Sequence, residues 1–122
     1  MDGEISPEQV AELLDGDADV EIVDVREPVE FDVERIPGSV NVPLSRLARD
    51  VDRIEPADRI VTVCPHGEAS IQAARLISAY EGMDDAVVES MAGGLDAWEG
   101  PLESGRETAD DGERATVGRD GE

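Results

Sequence analysis

Ile60-Val61-Thr62-Val63 is a near-continuous β-branched run, followed at once by Cys64, the turn Pro65-His66-Gly67 and an apolar-periodic stretch from about Glu68 to Glu81. A run of this kind suits a strand of a parallel sheet covered on both faces. Val20-Glu21-Ile22-Val23-Asp24-Val25 reads as a second, largely buried strand, Val40 and Val42 alternate in a short one, and Ala86-Val87-Val88 supplies the last. Helical signals fall between them. Ser6 and Gln9 form a capping box around Pro7, with Val10, Leu13 and Leu14 on one face and Gly16 as the stop. Pro28 opens a short helical piece that runs to Glu34 and ends before Pro37-Gly38. Ser45 is placed to cap another holding Leu47, Ala48 and Val51. After the Pro65-His66-Gly67 turn, Ala69, Ala73, Leu76, Ile77 and Tyr80 make the expected apolar face, with Gly82 as terminator. Gly93-Gly94 leads into a helical turn bearing Leu95 and Trp98. Strands alternating with helices at this spacing predict a three-layer α/β/α sandwich around a mostly parallel central sheet.

The length, 122 residues, suits one domain. Only Phe31, Tyr80 and Trp98 are aromatic, so the core is expected to be Val, Ile, Leu and Ala, with Phe31 and Trp98 packed into it. From Glu103 the pattern stops, and Ala109, Ala115 and Val117 are the only apolar residues up to Glu122. Such a stretch cannot bury enough to offset ordering entropy. The expected division is therefore a domain over 1–102 and an acidic disordered tail over 103–122.

Charge narrows the function. There are 31 Asp and Glu against 10 cations, all arginine, for a net −21. Duplex affinity comes mainly from cations on phosphates, and anionic membranes attract basic segments, so neither nucleic acid nor membrane is an expected partner. No apolar run approaches the roughly 20 residues needed to span a bilayer. Met1-Asp2-Gly3-Glu4 does not read as a signal peptide, which makes the cytoplasm the expected compartment. Many carboxylates with no Lys is the pattern expected of a protein working in concentrated salt, where the Debye length falls to about 3 Å at 1 M and self-repulsion fades. One Cys and one His exclude an internal disulfide and a conventional Cys/His zinc site, so no metal site is expected.

Chemistry concentrates at Cys64. In open α/β sheets, ligands bind beyond the carboxyl ends of strands, where this residue falls. Pro65-His66-Gly67 lets backbone N–H groups curl inward as an anion nest, with Gly67 free to take positive φ, and the following helix aims its positive end at the same point. A thiolate there is favoured over the thiol, which makes a ready nucleophile. The bland alternative is a buried inert thiol.

Four segments, in order and spacing, resemble the rhodanese-like sulfurtransferase family over nearly all of residues 5–101. They are Asp24-Val25-Arg26-Glu27-Pro28-Val29-Glu30-Phe31, Ile36-Pro37-Gly38-Ser39-Val40-Asn41-Val42-Pro43-Leu44, Val63-Cys64-Pro65-His66-Gly67-Glu68-Ala69-Ser70 and Ala92-Gly93-Gly94-Leu95-Asp96-Ala97-Trp98. The resemblance implies a single domain in which Cys64 takes a sulfane sulfur from a donor such as thiosulfate and passes it, as a persulfide, to a thiophilic acceptor: cyanide in the assay, a thiol or protein carrier in the cell. It implies no cofactor. The amides of His66, Gly67, Glu68 and Ala69 would cradle the terminal sulfur, and ping-pong kinetics follow. The chain departs from the family at Pro65, which lacks an N–H, at Glu68, whose charge opposes a dianion, at Ala69, where many members carry Arg or Ser, and at Arg35, where His often precedes Ile-Pro-Gly.

Pro65, His66, Gly67, Glu68, Ala69 and Ser70 are thus the expected substrate-binding residues, with Ser70 bonding loop backbone or substrate. Asp24, Arg26 and Arg35 are candidates for the border of the site, Asp24 and Arg26 equally for a structural ion pair. A phosphatase or arsenate reductase would need Cys-x5-Arg, and the sixth residue after Cys64 is Ser70. A dithiol redox role lacks its second Cys. A non-catalytic binding or regulatory module on the same fold is the alternative that remains. A monomer or weak dimer is expected.

Overall fold

The computed structural model describes residues 3–83 and 85–104. Five parallel strands form one sheet: β1 (Glu4–Ile5), β2 (Val20–Asp24), β3 (Val40–Asn41), β4 (Arg59–Val63) and β5 (Val87–Met91), in the order β1-β5-β4-β2-β3. The helices are α1 (Pro7–Asp15), α2 (Pro28–Val33), α3 (Leu47–Asp50) and α4 (Ala69–Ser78), with short 3-10 turns at Leu44–Arg46, Val51–Arg53, Glu81–Met83 and Gly94–Ala97. The expected α/β sandwich with a parallel sheet is borne out, with β1 as an unforeseen edge strand two residues long.

The elements form for local reasons. At α1 the Gln9 amide donates to Ser6 Oγ at 3.1 Å, and the Ser6 amide donates to Gln9 Oε1 at 3.1 Å, closing the expected capping box. Ser45, expected as a cap, lies inside the Leu44–Arg46 turn, and Arg46 holds the position before α3. The long helix ends at Ser78, and Gly82 belongs to the 3-10 turn beyond it.

Strand alternation divides the core into two layers. Val23, Ile60, Cys64 and Val88 face α3 and α4, packing with Leu47, Ala73 and Ile77. Ile22, Val61, Val63 and Met91 face the other way, onto Val10 of α1 and Trp98. Trp98 is a core residue as expected, whereas Phe31 is only half-buried, with the Arg35 guanidinium 4.8 Å above its ring.

The stripe of α4 that meets the sheet is Ser70, Ala73, Ala74 and Ile77, turned by about one position from the expected face. Leu76 and Tyr80 are left 41% and 38% exposed. That rotation carries Ser70 inward, onto the sheet.

Glu103 was expected to start the tail, yet its backbone exchanges two hydrogen bonds with Arg35, at 2.8 and 2.9 Å, and its carboxylate meets Arg35 Nε at 3.1 Å. The remainder of that expected tail, from 105, lies outside the described residues.

Candidate active site

Connections leave the carboxyl ends of β2 and β4 in opposite directions: β2 passes through α2 to β3, and β4 through α4 to β5, its neighbour on the other side. The crevice opened by such a reversal is the usual ligand position of a parallel sheet. Cys64 is the first residue beyond β4 and stands at that crevice.

Cys64 is only 2% exposed, and the surroundings of its sulfur are polar where it matters. The Gly67 and Ser70 amides donate to Sγ at 3.1 and 3.3 Å. Ser70 Oγ lies 3.3 Å away. Burial pushes the thiol up. The Ser70 hydroxyl and the amides of Ser70, Gly67 and His66 pull it down, and the net result lies below the ordinary thiol value. Hydrogen bonds to the charged form win over desolvation here because four donors converge on one sulfur.

The loop is held in this shape from beneath. Leu95 N–H donates to the Cys64 carbonyl at 2.9 Å and Asp96 N–H to the Pro65 carbonyl at 3.0 Å. In a trans peptide the C=O and N–H point in opposite directions, so drawing the Pro65 carbonyl toward Asp96 turns the His66 amide toward the sulfur. Gly67 sits at φ +90, and a Cβ there would stand 2.7 Å from the Gly93 amide nitrogen, so only glycine fits. The Gly93-Gly94 pair and the cysteine loop thus fold as one unit although they lie far apart in sequence.

The other expected residues fall as follows. Pro65 is half-buried and, lacking an N–H, adds no donor to the ring. His66 is exposed at the rim, with Nδ1 2.6 Å from Asp96 Oδ2. Glu68 is exposed at the start of α4 and Ala69 is half-buried; their amides have no protein acceptor among the described residues. Asp24 is buried and grips Arg26 through both carboxylate oxygens, while Arg26 Nη2 donates to the Glu34 carbonyl at 2.6 Å. Asn41 Nδ2 donates to the backbone carbonyls of both Asp24 and Arg26, at 3.0 and 2.9 Å. Among the described residues, no hydrogen bond or ion pair of Asp24, Arg26 or Arg35 reaches the 64–70 loop: the first two brace the end of β2 against α2, and Arg35 is committed to Glu103 and Phe31.

Two residues of this region escaped the sequence reading. Thr62 Oγ1 donates to the Ser70 carbonyl at 2.6 Å, and Ser90 Oγ lies 2.7 Å from Ser70 Oγ. Thr62 and Ser90 are register partners on β4 and β5, both fully buried. A signal existed: Cys64, directly beyond β4, is two residues after Thr62 and continues the strand's alternation onto the same face, which makes a hydroxyl inside the core layer below the cysteine.

Among the described residues, no helix is long and apolar enough to cross a membrane. The rhodanese-like domain model matches residues 6–101. The thiosulfate sulfurtransferase GlpE of Pseudoalteromonas translucida is 39% identical over 95 residues, which cover 78% of this chain and 87% of that protein. YrkF of Bacillus subtilis, a candidate sulfur carrier protein, is 31% identical over 100 residues; they cover 82% of this chain but only about half, 52%, of YrkF. Among solved structures, a rhodanese-like domain protein of Staphylococcus aureus aligns with a TM-score of 0.71 and 27% identity, over 85% of this chain and 98% of that one. A rhodanese-related protein of Thermoplasma volcanium aligns with a TM-score of 0.70 and 26% identity, over 82% and 96%. With its cysteine loop seated on a parallel sheet and a family match spanning most of its length, the chain belongs to the rhodanese-like domain family.

Proposed function

We propose that this protein is a sulfurtransferase that carries sulfane sulfur on Cys64. The observation that carries the reading is the convergence of the Gly67 and Ser70 amides and the Ser70 hydroxyl on one sulfur. In the first half-reaction the Cys64 thiolate attacks the sulfane sulfur of a donor. A new S–S bond forms, the donor's own bond to that sulfur breaks, and the leaving group (sulfite, for thiosulfate) departs with the electron pair. In the second, an acceptor nucleophile, cyanide in an assay or a thiol or protein carrier in the cell, attacks the terminal sulfur and Cys64 leaves as thiolate. The amides of His66, Gly67, Glu68 and Ala69 are the groups that would hold the terminal sulfur, as N–H groups at a helix start hold anions.

The site also shapes donor choice. With Cys64 only 2% exposed, its sulfur meets only donors slender enough to enter the loop. Glu68, and Asp96 beside His66, oppose a doubly charged donor. Organic persulfides of low charge should therefore compete well with thiosulfate. We place the protein in the cytoplasm of a cell rich in salt, where the field of 31 carboxyl side chains is screened and the donors touching the sulfur are not. The docking-module alternative gives no reason for lowering the thiol of a buried cysteine.

The test is intact mass after incubation with thiosulfate in molar KCl. The expected result is a gain of one sulfur atom, reversed by cyanide and absent in Cys64→Ala. No adduct with thiosulfate or with an organic persulfide would overturn the reading in favour of the docking module.

A further inference from the structure

Among the described residues, the layer between α4 and the sheet holds three buried hydroxyls, those of Thr62, Ser70 and Ser90. Ser90 on β5 meets Ser70 on α4 at 2.7 Å, and Ser70 meets Cys64 Sγ at 3.3 Å, all three residues being buried. The Thr62 hydroxyl is bonded to the Ser70 carbonyl, so it does not compete for Ser70 Oγ.

Each hydroxyl has one proton to donate, which limits the arrangements to a few. When Cys64 is a thiolate, the Ser70 proton must point at the sulfur, because a thiolate only accepts. Ser70 Oγ is then left as an acceptor, and Ser90, 1% exposed, satisfies its own buried donor by pointing at it. When Cys64 is a thiol, the S–H donates to Ser70 Oγ instead, and the Ser70 proton turns to Ser90 Oγ. Ionisation thus reverses two hydroxyl rotors with no movement of heavy atoms and no transfer of a proton along the chain.

We infer that Ser90 is a positioning residue for Cys64: by donating to Ser70 it holds the Ser70 hydroxyl aimed at the sulfur whenever that sulfur carries charge. Hydrogen bonds in such a chain polarise one another, so the outer hydroxyl strengthens the inner one. Two consequences follow, the second resting on the sulfur-transfer reading. Cys64 ionises more readily with Ser90 present. In persulfide discharge, the acceptor's lone pair forms the new bond to the terminal sulfur, the Cys64 S–S bond breaks, and its electron pair arrives on Sγ, where the Ser70 proton meets it. Ser90 therefore assists the step in which Cys64 is the leaving group.

Charged side chains on the elements around Cys64 include His66 and Glu68 in the loop, Arg75 on α4, Arg49 and Asp50 on α3, Glu21 on β2, Asp96 beside His66, the Asp24–Arg26 pair at the end of β2 and the Arg59–Glu89 pair across β4 and β5. Among the described residues, none of these side chains is hydrogen-bonded to the sulfur or to either serine hydroxyl. They form a background that a change at Ser90 leaves in place.

The test is the titration of Cys64 by thiolate ultraviolet absorbance, with Cys64→Ala as the blank, in the full chain and in Ser90→Ala, Ser90→Thr and Ser90→Val. Thr and Val match in volume and differ by the hydroxyl, so the comparison survives if Ala leaves a damaging cavity. The expected result is a titration displaced to higher pH in Ala and Val and restored in Thr, with persulfide discharge to cyanide slowed about three- to tenfold in the first two. Curves for Ala and Val that superimpose on the parent would overturn the inference. So would equal displacement in all three, because packing and not the hydroxyl would then be the cause. The titration needs no sulfur donor, so a protein that accepts no sulfur yet shows the displacement would sink the proposed function and leave this inference standing.

Discussion

Gly94 lies directly against the backbone of Cys64: a Cβ on residue 94 would stand 2.3 Å from the Cys64 carbonyl oxygen and 2.5 Å from that of Pro65. Both obstructing atoms are backbone, which cannot swing aside as a flexible side chain can. Gly94 also holds φ +63, which L side chains rarely adopt. The glycine therefore sets the height of the cysteine loop above the Leu95 and Asp96 amides that orient it.

Gly94→Ala should accordingly displace the loop. The expected outcome is a loss of about 2–4 kcal/mol of stability, the range of overpacking combined with backbone strain, together with loss of the lowered Cys64 thiol. Thermal melting and the pH dependence of thiol alkylation are the measurements. A variant that keeps both would show that the loop does not rest on this contact.

Ser70→Ala removes the strongest of the groups that lower the Cys64 thiol while leaving burial, which raises it, in place. Loss of the hydroxyl disfavours the charged form, so the thiol moves up. In the parent, thiol reactivity rises with pH through the lowered value and then levels. In Ser70→Ala the rise comes at higher pH, so reactivity at neutral pH falls about three- to tenfold while reactivity in alkali converges on the parent. Alkylation rates across a pH series test this.

Asp24 is buried and, among the described residues, only Arg26 neutralises it; the Arg26 side chain is itself 10% exposed. Removing one partner of such a pair strands the other in a poor solvent. Asp24→Ala should cost about 3–5 kcal/mol. The double variant Asp24→Ala, Arg26→Met should recover part of that loss. Both are read by denaturant unfolding.

Glu21, on β2, is pushed up by burial and then by the carboxylates of Glu55 and Asp19. A raised carboxyl contributes stability that is fully present below its ordinary range and lost as pH rises through the raised value, so at neutral pH Glu21 works against the fold. Glu21→Gln should stabilise the fold at pH 7 by less than about 0.5 kcal/mol, because the group is only half-buried, and so raise the melting temperature. The gain should shrink in molar KCl and vanish in acid, where Glu21 is already neutral. In the parent, the net −21 predicts a melting temperature that climbs from dilute buffer to molar KCl. A cooperative transition indifferent to salt would remove the idea of adaptation to salt.

Much of this was legible in the chain itself. The β-branched run Ile60–Val63, the turn with its glycine and the capping box at Ser6 follow local rules of sterics and hydrogen bonding, which act within a few residues and survive in any context. The position of Cys64 at a strand end followed from the same rules. The edge strand Glu4–Ile5 did not: two residues carry no periodicity, and only pairing with β5 makes them a strand.

What the tertiary structure decided is which face of α4 turns inward and what meets it there. On periodicity, the stripe through Leu76 and Tyr80 was as good as the one through Ser70, Ala74 and Ile77, because one position around a helix is only about 100° and an apolar stripe is as wide. The second stripe is buried because Ser70 is held by Thr62, Ser90 and the sulfur at once. Those partners come from β4, β5 and the loop, brought together by sheet order and register, and a hydrogen bond depends on distances that a linear sequence does not contain.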